Sequence, residues 1–86
     1  MNYQWDDAKR TANLAKHGLD FNDAWRVYEA EDYLDISSPR NGEPRTVRVA
    51  LVKGIPLALV HVLRDGNVRV ISLRRARPGE WKPLKA

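Results

Sequence analysis

The chain contains no cysteine, one methionine, one phenylalanine and two histidines among its 86 residues. Without thiols there is no disulfide framework, no cysteine nucleophile and no thiolate-held zinc. His17 and His61 stand apart, and no His/Asp/Glu cluster has ligand spacing, so no metal site is expected. No Gly-rich phosphate loop opens a helix, which argues against nucleotide-dependent chemistry, and no cofactor is expected. Ser37, Ser38 and Ser72 sit in no nucleophile-elbow context, so nothing specific supports a serine triad. Nor does any apolar run approach the roughly 18 residues of a membrane span. Met1–Asp6 lacks the basic-then-apolar pattern of a secretory leader, so a cytoplasmic protein is the expectation. Residues 1–86 are read as a single domain. A chain this short buries only about 60% of its unfolded surface, and a bound partner would add to its stability.

Charge is plentiful and unevenly spread. Residues 1–37 carry four basic against eight acidic side chains, net −4, whereas residues 38–86 carry eleven against three, net +8. Arginine outnumbers lysine ten to five, and its planar fork suits phosphate oxygens two at a time. The second half is thus a candidate polyanion surface, or a basic face for an acidic partner.

The order of elements follows from periodicity. Tyr3-Gln4-Trp5 reads as a brief edge strand. Asp6 suits a helix N-cap, and Trp5, Ala8, Ala12, Ala15 and Leu19 recur at helical gaps before Gly18 ends the segment. Asp20 can cap a second helix whose apolar stripe is Phe21, Ala24, Trp25 and Tyr28. Together these predict an N-terminal αα-hairpin. From Tyr33 the period shortens: Tyr33–Ser37, Arg45–Val52, Pro56–Leu63 and Val68–Arg75 read as strands, with Lys53-Gly54 and Asp65-Gly66 as tight turns. The expected class is α+β, the hairpin packed on about four antiparallel strands, with a short irregular tail holding at most one helical turn.

Pairing Val52 with Ile55 and Arg64 with Asn67 assigns the faces. Val47, Val49, Leu51, Ala58, Val60, Val62, Ile71 and Leu73 form one, expected to receive the helices. Thr46, Arg48, Leu57, Leu59, His61, Val70, Ser72 and Arg74 form the other, a mixed face suited to binding.

Many arginines and few titratable bases suffice for RNA cleavage by the RNA's own 2′-hydroxyl. That reaction needs a proton acceptor, cations for the phosphorane and a donor for the leaving 5′-oxygen. His17, His61, Glu43 or a lysine could supply the base.

The segments Trp5-Asp6, Lys9, Asn13, Lys16-His17-Gly18, Phe21, Gly42–Arg45, Leu59–Val62, Arg64 and Arg69–Ala76 appear in one order. On them the chain resembles the BrnT toxin family. The resemblance implies a RelE-like fold and ribonuclease activity that inhibits translation. It also implies a cognate ribbon-helix-helix antitoxin of the BrnA kind, which touches operator DNA on behalf of the complex, with a homodimer or heterotetramer possible. Read against that family, Arg74, Arg64, Glu43 and His17 are candidate catalytic residues. Arg45, Arg48, Arg69, Lys9, Lys16 and His61 are candidate RNA-binding residues. The tail is shorter than the family's C-terminal helix, which motivates an alternative: a degenerate toxin acting as antitoxin-bound co-repressor.

Overall fold

The computed structural model describes residues 1–85. The elements run β1 (Asn2–Gln4), α1 (Asp7–His17), a 3₁₀ turn (Phe21–Asp23), α2 (Ala24–Tyr28), β2 (Leu34–Ser37), β3 (Thr46–Val52), β4 (Ile55–Arg64), β5 (Asn67–Arg75), α3 (Pro78–Trp81) and a 3₁₀ turn (Lys82–Lys85). The class is α+β, as the sequence predicts. The sheet, however, has five strands in the order β1-β5-β4-β3-β2 and is mixed. Strands β2 to β5 form the antiparallel part, while β1 lies parallel to β5 through Asn2, Tyr3 and Gln4. This corrects the four-stranded antiparallel expectation. A parallel neighbour requires a long crossover, and the rest of the fold supplies it.

The αα-hairpin is corrected as well. Asp6 caps α1, its carboxylate accepting from the Ala8 and Lys9 amides at 2.8 and 3.2 Å. Gly18 ends it in the left-handed region at φ 69°, donating its N–H to the Leu14 carbonyl. The second helical segment is only the Asp20-capped 3₁₀ turn and the five residues of α2. Helix α1 lies along β5 and α2 over β3 and β4, so each is seated on the sheet.

The alanine stripe of α1 is exposed, and its one buried side chain is Asn13. The reason lies at the edge of β5, which β1 covers only as far as Arg69. Further along, the Asn13 amide donates to the Leu73 carbonyl at 2.8 Å and its oxygen accepts from the Leu73 N–H at 3.1 Å. A side-chain amide thus satisfies backbone groups that a neighbouring strand would otherwise pair.

Both predicted turn pairs, Val52 with Ile55 and Arg64 with Asn67, are present. Between them β5 carries one extra residue: Val60 faces Ser72 and His61 faces Val70, leaving Ile71 as a β-bulge. The bulge moves Leu73 to the side of Leu57 and Leu59, and Ser72 and Arg74 to the side of Val60 and Ala58. Leu57, Leu59, Ala50, Val70 and Leu73 meet Phe21, Ala24 and Val27 in the main core. Full burial of Phe21, Leu59 or Leu73 contributes about 1.5–3 kcal/mol each. The helices therefore cover the face expected to be open. The opposite face, Val47, Val49 and Ala58, receives Ala76, Trp81 and Leu84 from the tail. That tail is an α-helical turn continued by a 3₁₀ turn and packed on the sheet, not an irregular extension. Trp25, read as core, is 45% exposed, with the Arg26 guanidinium 4.7 Å above its ring; Val27 is buried instead.

Candidate nucleic-acid interface

The face away from α2 is only partly covered by the tail, and α1 flanks it along the edge of β5. Beside the tail lies a groove of about 380 Å³, floored by Val47, Val60, Ile71 and Ser72 and walled by Arg40, Arg45, Arg74 and Arg77. A second depression of about 270 Å³ shares Ile71 and Ser72 and is lined by Lys9, Ala12, Asn13, Lys16 and His17. The two hollows meet at the bulge, which re-aims Ile71 and Ser72 into both. Ser72 Oγ donates to the Asn13 side-chain oxygen at 3.4 Å, so α1 also fixes that junction.

Arg40 and Glu43 stand at the ends of a two-residue hairpin turn. Asn41 and Gly42 both have positive φ, 51° and 78°, and Arg40 and Glu43 exchange backbone hydrogen bonds of 3.0 and 2.9 Å. The Glu43 carboxylate accepts from Arg45 Nε at 2.7 Å and Arg64 Nη2 at 3.3 Å. The Arg45 hydrogen bond, helped by the charges of Arg64 and Lys9, holds the Glu43 pKa below its ordinary value. Lys9, Glu43, Arg45 and Arg64 are thereby brought together from α1, the loop before β3 and the end of β4.

Arg74 is placed differently from expectation. Its guanidinium grips Glu80 bidentately, at 2.9 and 3.0 Å, and donates to the Arg75 carbonyl at 3.2 Å. Glu80 also accepts from the Arg77 backbone N–H at 2.8 Å. Arg74 above all, with that amide, brings the Glu80 carboxyl down to about 2. Arg74 lines the groove with its charge already matched.

Arg48 and His61 lie on the helix-covered face, away from the groove. Arg48 bonds Asp35 at 2.8 and 2.9 Å and the Tyr28 carbonyl at 2.8 Å, stacked between the Tyr28 and Tyr33 rings. His61 is 3% exposed, edge-on to Tyr28, and burial lowers its pKa, keeping it neutral. Arg69 sits beyond the bulge opposite Val62, half-buried. Among the described residues, Arg40, Arg69, Arg75 and Arg77 are the arginines outside any ion pair.

Arg40, Arg77 and Glu80 are not among the residues that the sequence singles out. The signals were there: Asn41-Gly42 marks a hairpin turn, and Arg77-Pro78-Gly79-Glu80 has Pro and Glu where a first helical turn takes them. No group of three His, Asp or Glu side chains comes together among the described residues. Likewise, no described helix is long and apolar enough to cross a membrane.

The fold is thus an α+β domain whose open sheet face carries a guanidinium-walled groove. The family model for the BrnT ribonuclease toxin of type II toxin–antitoxin systems matches residues 5–80, and the chain belongs to that family. The match runs past the resembling segments and into α3 as far as Glu80. No curated protein matches the chain.

Proposed function

We propose that this BrnT-family toxin is a metal-independent endoribonuclease that cuts RNA in the cytoplasm and so inhibits translation. The observation that carries the reading is the pair of hollows joined at the Ile71–Ser72 bulge, with His17 and Lys16 at one end and four arginines at the other. In the reaction the RNA 2′-oxygen attacks the adjacent phosphorus and gives its proton to a base. The bond from phosphorus to the 5′-oxygen breaks, and that oxygen takes a proton from an acid. His17 is the candidate for one of these proton transfers. Glu43 is held as a carboxylate between Arg45 and Arg64, so it fits the orientation of those cations or the acceptance of a proton. Arg45, Arg64, Lys9 and Lys16 would offset the charge that gathers on the phosphorane, each well-placed donor contributing about 3 kcal/mol.

Silencing falls to a cognate antitoxin of the BrnA, ribbon-helix-helix kind, which also contacts operator DNA. Purified toxin freed of antitoxin should cut RNA in EDTA and leave 2′,3′-cyclic phosphate or 3′-phosphate ends. Failure to cut under any condition would sink the reading. One observation favours the co-repressor alternative: Glu80 neutralises Arg74, the strand arginine expected on phosphate. Expression without antitoxin that leaves growth and protein synthesis untouched would support it.

A further inference from the structure

We infer that Arg40 and Arg77 form the clamp that holds the RNA backbone phosphates in the groove, and that Arg74 with Glu80 positions Arg77. The inference rests on the nucleic-acid reading of the groove but not on cleavage. Of the four arginines walling it, Arg45 is committed to Glu43 and Arg74 to Glu80. Arg40 and Arg77 are exposed and stand outside any ion pair among the described residues. A phosphate bound by Arg40 or Arg77 has no ion-paired carboxylate to displace, whereas one bound by Arg74 must first displace a bidentate one.

Each clamp arginine is also held by rigid backbone. Arg40 opens the Asn41-Gly42 turn, locked by its two reciprocal hydrogen bonds. Arg77 precedes α3, and one oxygen of Glu80 bridges the Arg74 guanidinium to the Arg77 backbone N–H. The turn is seated from below by Trp81 and Leu84 on Val47, Val49 and Ala58. Arg74 is therefore a positioning residue: through Glu80 it fixes where the Arg77 side chain leaves the backbone.

The test measures binding of the full chain to a single-stranded 2′-O-methyl RNA, which lacks the attacking hydroxyl and cannot be cut. Arg40→Gln and Arg77→Gln should each weaken binding about tenfold at low salt and make the slope of log affinity against log salt shallower by about 0.7. Arg75→Gln removes the same charge from an unpaired arginine that lines a hollow on the helix side, with Leu19 and Ile55, and should change little. Equal losses for Arg75→Gln and Arg77→Gln would overturn the clamp in favour of net charge. Binding of a polyglutamate peptide, but not the oligonucleotide, through Arg40 and Arg77 would also overturn it and assign these arginines to a protein partner. For the positioning role, Glu80→Gln removes a negative charge, which by long-range attraction alone would tighten binding. The inference expects weaker binding, with Arg77→Gln adding little on top of it; tighter binding, or full additivity, contradicts it. Loss of cleavage with clamp-dependent binding intact would fault the ribonuclease reading and leave the clamp standing.

Discussion

At the scale of single residues, the side chain on which most depends is Asn13. Buried at 7% exposure, it satisfies both backbone groups of Leu73, bonds the Leu19 carbonyl at 3.0 Å and meets Ser72. Asn13→Ala would leave those backbone groups without partners, at about 1–3 kcal/mol. The melting temperature should fall on the order of 10 °C; a drop under about 2 °C would show that water substitutes freely for the amide. Glu80 makes a prediction in pH. Its folded pKa of about 2 lies below the value near 4.3 of an unfolded glutamate, so its contribution to stability is whole above that value. As pH falls through the interval toward 2 the contribution is lost. The difference in melting temperature between the wild type and Glu80→Gln should be greatest near neutrality and shrink to nothing near pH 2. A difference independent of pH would mean that the Arg74 pair contributes nothing to the folded tail.

At the scale of elements, the turns were legible and the faces were not. Asp65-Gly66 and Lys53-Gly54 mark β-hairpins on local chemistry alone, and both turns have the positive φ pair they require. The single extra residue Ile71 is invisible to an alternation count, yet it moves Leu73, Ser72 and Arg74 to opposite sides from those read. Choosing which face the helices cover needed tertiary knowledge as well, because Val47, Val49 and Ala58 are as apolar as Leu57 and Leu59. Likewise the 3–4 spacing of alanines in α1 reported a helix but not its buried side, since the group that docks is a polar amide. The tail's proline and glycine suggested at most one helical turn, whereas α3 runs on into a 3₁₀ turn and Trp81 and Leu84 pack on the sheet. The Arg40–Glu43 turn offers a test at this scale. At Gly42, φ 78°, an added side chain meets no neighbour, so Gly42→Val is penalised by the backbone alone, by roughly 1–2 kcal/mol. Melting should drop by several degrees, and oligonucleotide binding should weaken as Arg40 loses its fixed origin. Unchanged binding would detach Arg40 from the interface.

Across the whole molecule, the sequence already separated an acidic first half from a basic second half. Folding refines that division. Arg48 and His61 are drawn into the helix-covered side, and Arg10, Arg26, Arg45, Arg64 and Arg74 are matched with carboxylates. What stays open is one continuous surface, from Lys9, Lys16 and His17 across the bulge to Arg40 and Arg77. Of the candidate site residues, Glu43, Arg45, Arg64 and Lys9 converge as a cluster, and Lys16 and His17 lie next to it. Their shared neighbourhood was not legible from spacing, because it joins an N-terminal helix, a loop and two strand ends. We propose that this surface cleaves RNA with the protein's own cations and proton carriers. It is tested most directly by incubating the antitoxin-free protein with RNA in EDTA and determining the chemistry of the new ends. Cleavage that leaves 2′,3′-cyclic phosphate or 3′-phosphate and 5′-hydroxyl ends is the expected result. Cleavage that appears only on adding a divalent metal and leaves 5′-phosphate ends would contradict it.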